Sequence, residues 1–86
     1  SNEGKATYGL KEVEQASNQG AVESLLVSDS LIHKTRENNT FDQLDSIMKI
    51  VDQQKGRIHL ISSEHEAGKK LDGLTGIAAI LRFKIK

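Results

Sequence analysis

The chain has 86 residues, of which twelve are basic, twelve are acidic and none is cysteine. This length allows one domain with a modest core and excludes a large internal pocket, and the lack of cysteine excludes disulfides and thiolate metal sites. No stretch approaches the roughly 20 apolar residues of a membrane span, and no signal segment opens the chain, so we expect a cytoplasmic protein without membrane contact.

The N-terminal part of the chain predicts an extended segment followed by a helix. Residues 3–8 are polar, and we expect them to be extended or loosely held. Leu10, Val13 and Ala16 then recur at helical spacing, and a glycine stands where a left-handed cap would end the helix. The pattern predicts a helix over residues 9–20.

The next segment predicts a strand and then a polar connection. Residues 25–27 are a continuous apolar run, too short for a helix, which is typical of a strand covered on both faces. We place this strand at residues 21–28. Leu31 and Ile32 are expected to form a short helical turn, and the polar residues 34–39 are expected to form a surface loop.

Residues 40–54 predict the longest helix of the chain. Thr40 and Gln43 stand at the spacing of a capping box, and Gly56 follows as a C-cap residue. Five apolar side chains recur at intervals of three and four: Phe41, Leu44, Ile47, Met48 and Val51. We interpret this stripe as core packing rather than as the lining of a ligand site.

The last third of the chain predicts a strand, a helix and a final strand. The first strand covers residues 57–62, and Ser63 with Glu66 then matches a second capping box. Residues 73–76 contain two glycines and predict a tight turn before a strand at residues 77–81. The residues expected to be buried here are Ala67, Leu71, Leu74, Ile77 and Ile80.

This alternation of helices and strands indicates an α/β domain. Strands that alternate with helices favour parallel pairing and right-handed crossover connections. We therefore expect a three-layer α/β/α sandwich, in which helices cover both faces of a small sheet that is mixed or mostly parallel.

The residue types that carry chemistry do not converge on a site. Glu64, His65 and Glu66 are consecutive, so on a helix their side chains point about 100° apart. No second histidine lies four residues from His65, as a helical zinc motif requires. The glycines of residues 73–76 precede a strand, whereas those of a phosphate-binding loop precede a helix. We expect no catalytic residue, no cofactor site and no metal site, and hence not an enzyme.

Five sequence blocks carry a resemblance to a known family. They are Tyr8-Gly9 with Glu12-Val13, and residues 20–23, 25–29, 62–68 and 74–83. In order and spacing these blocks resemble the C-terminal domain of the Pelota family, the ribosome-rescue proteins of archaea and eukaryotes that are related to class-1 release factors. The resemblance implies the fold of the kink-turn-binding ribosomal proteins.

The resemblance also implies an arrangement and a role. It implies a single domain at residues 1–86, cut from a longer three-domain protein, with residues 1–2 left from a cleaved tag. That domain would be a monomeric, non-catalytic docking module in the recognition and dissociation of stalled ribosomes and in mRNA surveillance. Its implied partners are a translational GTPase of the elongation-factor-one-alpha type, an ABC-type recycling ATPase, and the ribosome through the full-length protein. An endonuclease activity has been proposed for the family, and the resemblance places it outside this domain.

Two alternatives share parts of this resemblance. The third domain of a class-1 peptide release factor is similar across the same blocks, but it carries an insertion where residues 30–40 make a short connection here. A kink-turn RNA-binding protein shares the helix start at residues 9–13, but it reads RNA with an asparagine where this chain has Lys11. An ammonium group cannot offer the donor and acceptor pair of an amide.

The candidate partner surface is charged. Residues 1–66 hold seven basic and eleven acidic residues, whereas residues 67–86 hold five basic residues and one acidic residue. Such asymmetry can steer an oppositely charged partner. We expect the third predicted helix to project its charges away from its buried side and to act with the charges that follow the last strand. The candidate residues are Glu64, Glu66, Lys69, Lys70, Asp72, Arg82 and Lys84.

Overall fold

The computed structural model describes residues 5–83, which form four helices and one four-stranded sheet. The elements in chain order are β1 (Ala6–Tyr8), α1 (Leu10–Asn18), β2 (Val22–Ser28), α2 (Asp29–Glu37), α3 (Phe41–Gln53), β3 (Arg57–Ile61), α4 (Glu66–Asp72) and β4 (Ile77–Leu81). The extended segment predicted near the N-terminus contains β1. None of these four helices is long and apolar enough to cross a membrane.

The sheet is mixed, with strand order β1-β4-β2-β3. β2 and β3 pair in parallel, as the alternation of helices and strands predicts, but β4 runs antiparallel to both β1 and β2. Parallel pairing is therefore wrong for β4. The reason is the length of α4: seven residues span about 10 Å, whereas a five-residue strand spans about 16 Å. β4 therefore begins at the end of the sheet where β3 finishes.

The main core lies between one face of the sheet and α1 and α3. Leu44, Ile47 and Val51 of α3 are fully buried, and Phe41 and Met48 pack against the same cluster, which confirms the predicted stripe and its interpretation as core. The rest of this cluster comes from α1, from the strands and from the residue before β2. Its members are Val13, Ala16, Ala21, Val22, Leu25, Val27, Ile77, Ala79 and Leu81.

The third layer is α4, on the other face of the sheet. Leu71 of α4 is buried but does not belong to the main cluster, and α4 contacts β2 and β4. Because strand side chains alternate between faces, Leu26 and Ala78 face away from the main core, and both are half-buried. The structure confirms an α/β/α sandwich around a small mixed sheet.

The chain between β2 and α3 is more helical than the sequence predicts. The prediction of a short turn at Leu31 and Ile32, followed by a polar loop at residues 34–39, is wrong, because α2 continues to Glu37. The Oγ of Ser28 accepts a hydrogen bond from the Leu31 N–H at 3.1 Å and caps this helix. Three of its nine side chains are buried or half-buried, so its hydrophobic pattern is weak.

The predicted capping box at the start of α3 is also wrong. Thr40 makes no side-chain cap bond to α3. Its N–H and its hydroxyl both donate to the Thr35 carbonyl, at 2.8 Å and 3.5 Å, and so bind the last turn of α2. The chain reverses at Asn39, which has a φ of 58°. Thr40 therefore hydrogen-bonds to a carbonyl at the end of α2 instead of capping α3.

Two of the five residues expected to be buried in the last third, Leu71 and Ile77, are buried. Ala67 is exposed, Leu74 is 40% exposed and Ile80 is 44% exposed, so these three predictions are wrong.

The buried side of α4 runs instead through Gly68 and Leu71. A β-carbon at Gly68 would overlap the backbone of Ser62 and Ser63, so only glycine lets α4 approach this closely. Leu74 follows the helix in a tight turn in which Thr75 and Gly76 have positive φ values. That turn confirms the interpretation of residues 73–76.

We expect Ile47→Ala and Ile80→Ala to differ in their effect on stability. Ile47 is fully buried, so its truncation should lower the free energy of unfolding by about 2–5 kcal/mol. Ile80 is partly exposed on the second face, so its truncation should cost about 1 kcal/mol or less. Urea denaturation of the two variants beside the wild type measures both values. Equal losses would contradict this assignment of the core.

Candidate functional site

α4 carries most of the charged residues that the sequence singles out. Glu64 lies just before the helix, and Glu66, Lys69 and Lys70 are exposed on it. The Nζ of Lys70 lies 3.8 Å from the Oε2 of Glu66, one helical turn away, and both side chains are largely exposed. Such a pair contributes about 0.3–0.5 kcal/mol. The outer side of α4 is therefore a solvated surface of mixed charge, which we call the α4 face (Glu64, Glu66, Lys69, Lys70).

The loop that leads into α4 is tied to α2. Ser63 is not the N-cap predicted from its spacing to Glu66: the cap position is held by His65, which makes no side-chain cap bond. The Ser63 N–H instead donates to the Oδ1 of Asp29 at 2.9 Å. The Ser62 hydroxyl accepts from the Glu64 N–H at 3.1 Å. The start of α4 is thus positioned by the first turn of α2 and not by its own cap.

Asp72 faces this junction rather than the solvent side of α4. Hydrogen bonds from the hydroxyls of Ser28 and Ser63 hold the pKa of the Asp72 carboxyl below its ordinary value. The Ser30 hydroxyl donates to the Ser63 Oγ at 2.6 Å, which leaves the Ser63 proton for the carboxylate. These residues and Asp29 form one serine–aspartate cluster: Ser28, Asp29, Ser30, Ser63 and Asp72.

Asp29 is held in the same way from the other side of the cluster. The Ser63 N–H is the main cause that lowers the pKa of the Asp29 carboxyl, and the Ser30 N–H acts in the same direction. Two ionised carboxylates therefore bind the hydroxyl and amide groups of a loop between them. The cluster fixes α4 against the start of α2.

Arg82 does not lie with the α4 face. β4 runs from the α4 end of the sheet to the opposite end, and Arg82 follows its last residue. The Nη2 of Arg82 donates to the Val22 carbonyl at 2.8 Å and to the Gln54 carbonyl at 3.3 Å. Gln54 is the C-cap of α3, where a cation is favoured by the helix dipole. Arg82 thus joins α3 to β2, and Lys84 lies outside the described residues.

An open groove of about 1040 Å³, which the sequence interpretation missed, lies between the start of α1 and α2. Its apolar floor includes Leu10 and Leu31, both half-buried. Its charged lining has both signs, Lys11, Glu12, Lys34, Glu37 and Asp72, and His33 also lines it. A surface loop at residues 34–39, as the sequence predicts, would form no such groove. A serine cap at Ser28, followed by Leu31, Ile32 and Thr35 at helical spacing, is the signal that would have indicated α2.

Among residues 5–83, no group of three or more histidine, cysteine, aspartate and glutamate side chains is placed to hold a metal ion. Glu64, His65 and Glu66 remain spread along an exposed loop and helix start. The described residues thus form exposed charged surfaces supported by a fixed junction.

Comparison with known sequences connects the chain to one family. A family model described as eRF1 domain 3 matches residues 1–85. The pelota homologue of Thermococcus gammatolerans is 47% identical over 85 residues, which are 99% of this chain and 23% of that protein.

Comparison with solved structures gives the same result. An archaeal Pelota, described in a model of ribosome-bound Pelota and ABCE1, matches with a TM-score of 0.86 and 46% identity over 99% of this chain and 23% of its own. Dom34 of S. cerevisiae, described as a translation termination-like factor interacting with Hbs1, matches with a TM-score of 0.84 and 37% identity over 94% of this chain and 22% of its own. The chain therefore spans less than a quarter of the length of these relatives.

The serine–aspartate cluster predicts a pH dependence of stability. Because folding lowers the pKa of Asp72 below 3.8, its stabilising effect is complete above that value and is lost as the pH falls through the folded-state pKa. We expect Asp72→Asn to lower the free energy of unfolding at neutral pH, and this loss should shrink in acid. Urea denaturation of variant and wild type across the acidic range tests this.

The matched control for Asp72→Asn is Asp52→Asn, which makes the same chemical change on an exposed position of α3. A loss of stability in Asp72→Asn that stays constant from neutral to strongly acidic pH would contradict the role assigned to the Asp72 carboxylate.

Proposed function

The chain belongs to the eRF1 domain 3 family and matches the C-terminal domain of Pelota, and on this basis we propose that it is the non-catalytic docking domain of a ribosome-rescue factor. The observation that carries this proposal is the likeness to a ribosome-bound archaeal Pelota over nearly the whole chain. The domain would act within a longer protein that recognises stalled ribosomes and takes part in their dissociation and in mRNA surveillance, in the cytoplasm. The domain itself would not be an enzyme.

The kinds of partner follow from the same relatives. One structural relative is described together with ABCE1, and another is described as interacting with Hbs1. We therefore propose an ABC-type recycling ATPase and a translational GTPase of the elongation-factor-one-alpha type as the partners of this chain. Contact with the ribosome would come through the full-length protein.

Within the described residues, the α4 face is our proposed contact with one of these partners. Its side chains are exposed and carry both signs, so a complementary surface could pair with each of them. The serine–aspartate cluster and the close approach at Gly68 hold the helix backbone in one position, which reduces the ordering cost of binding. Asp72 would support the fold rather than touch a partner, and Arg82 lies away from this face.

The groove between α1 and α2 bears on the kink-turn alternative. It includes Lys11 and Glu12, at the helix start that kink-turn proteins share. A phosphate backbone is bound mainly by basic side chains, and three carboxylates line this groove beside two lysines. The mixed lining favours the docking of proteins over the binding of a structured RNA.

The double variant Lys69→Glu/Lys70→Glu tests the α4 face. We expect it to weaken binding to the purified GTPase or to the purified ATPase by about tenfold or more, because two exposed cations become anions within the proposed interface. Calorimetric titration of the 86-residue chain with each protein measures the change.

The matched control for the α4 face is Lys5→Glu/Lys49→Glu, which alters net charge equally on exposed positions before β1 and on α3. Thermal unfolding checks that both double variants fold. Unchanged affinity of the α4 variant for both proteins would remove the α4 face from the proposed interface.

A further inference from the structure

A second surface is defined by the register of the sheet. Side chains two residues apart on a strand share a face, and the pairing of the strands brings eight of them into two rows across the sheet. One row contains Ala6, Ile80, Ser24 and Arg57, and the other contains Tyr8, Ala78, Leu26 and His59. We call these eight residues the open sheet face. They lie on the side of the sheet opposite to α1 and α3.

The open sheet face is only partly covered by the described part of the chain. Tyr8 is 56% exposed and Ile80 is 44% exposed, although both are large apolar side chains. Leu26 and Ala78, which are neighbours across β2 and β4, are half-buried. α4 explains this difference in exposure, because its seven residues cover only the end of the sheet where β4 begins. The centre of the face is therefore apolar and accessible.

The border of this face at the far end of the sheet is basic. A shallow depression of about 510 Å³ lies there, and Lys55, Arg57 and Arg82 line it with Glu23 as its one acidic residue. Lys55 has a φ of 65°, which turns the chain between α3 and β3. The hydrogen bonds from Arg82 to two backbone carbonyls keep its charge at this border. An apolar centre with a polar, solvent-accessible border is the usual composition of a protein interface.

We propose that the open sheet face is a second docking surface, and that its occupant is a protein segment with an aliphatic or aromatic side chain surrounded by carboxylates. The apolar side chain would cover Tyr8 and Ile80, and the carboxylates would pair with Lys55, Arg57 and Arg82. This surface is distinct from the α4 face, since Arg57 and Arg82 lie near the opposite end of the sheet from α4. It would give one small domain separate surfaces for two partners.

The composition of the face favours an acidic protein over other occupants. Single-stranded nucleic acids bind to platforms of several aromatic side chains, and Tyr8 is the one Phe, Tyr or Trp residue in the two rows. A second copy of this chain would bring two basic borders towards each other, which is unfavourable. An acidic protein segment places carboxylates opposite Lys55, Arg57 and Arg82, needs no further aromatic side chains, and brings no second basic border to the face.

Ile80→Glu and Arg57→Glu test the proposal, one at the apolar centre and one at the basic border. The probes are the purified ABC-type ATPase and the purified GTPase, so the choice of probe rests on the proposed function. We expect both variants to weaken binding of the same one of these proteins by about tenfold or more. Added salt should weaken the wild-type complex with that protein. Lys69→Glu/Lys70→Glu should affect that protein less than either sheet variant.

The matched control is Leu60→Glu, which also replaces an aliphatic side chain by a carboxylate. Leu60 is 65% exposed and lies on β3, on the side of the sheet opposite to the open sheet face. Circular dichroism confirms folding, and Arg57→Glu keeps the test valid should Ile80→Glu fail to fold.

Three results would overturn the proposal. In the first, wild type binds a protein and neither sheet variant weakens it, which leaves the proposed function standing. In the second, wild type binds neither protein, and both proposals fail. In the third, the wild type binds a single-stranded oligouridine or associates with itself as its concentration rises, and the sheet variants abolish that binding or self-association instead.

Discussion

The end of β2 at Ser28 is the point on which the arrangement of this domain depends. The Ser28 N–H donates to the Gly76 carbonyl at 2.9 Å, and its Oγ accepts from the first turn of α2. Its hydroxyl proton is then available to Asp72, whose pKa it lowers. A fully buried serine thus joins the central strand to the helix that follows it and to the turn between α4 and β4. Gly76 fits beside it because a β-carbon there would contact Leu31 and the Ser28 Oγ too closely.

The sequence predicts best where one period decides the structure by itself. The stripe of α3 repeats at three and four residues over the whole helix, so its buried residues could be named before the fold was known. The caps at Thr40 and Ser63 could not. Each has the right residue at the right spacing, but Thr40 binds the end of the preceding helix and Ser63 binds Asp29, 34 residues earlier. Those competing acceptors are set by the fold and leave no local signal.

The candidate site shows the same division between local and non-local information. Exposure of Glu66, Lys69 and Lys70 follows from their positions around a short helix, and this part could be predicted. Asp72 belongs to the same helix but turns to the junction, because hydroxyl donors from two other segments meet it there. Arg82 was grouped with these charges by proximity in sequence, yet the direction of β4 carries it to the other end of the sheet. Strand direction was the one property of β4 that the alternation of elements predicted wrongly.

The size of the domain explains why a rigid sheet with more than one accessible surface suits the proposed docking role. A partner in a standard interface covers about 800 Å² of each protein, and the accessible surface of this domain is 5695 Å². A helix of seven residues is about 10 Å long, so the α4 face alone is too small for one such interface and must share it with neighbouring loops. Two partners bound at the same time would therefore require surfaces on different parts of the domain. β4 begins beside α4 and ends beside Arg82, so any surfaces at its two ends are held at a fixed distance and orientation by the hydrogen bonds of the sheet.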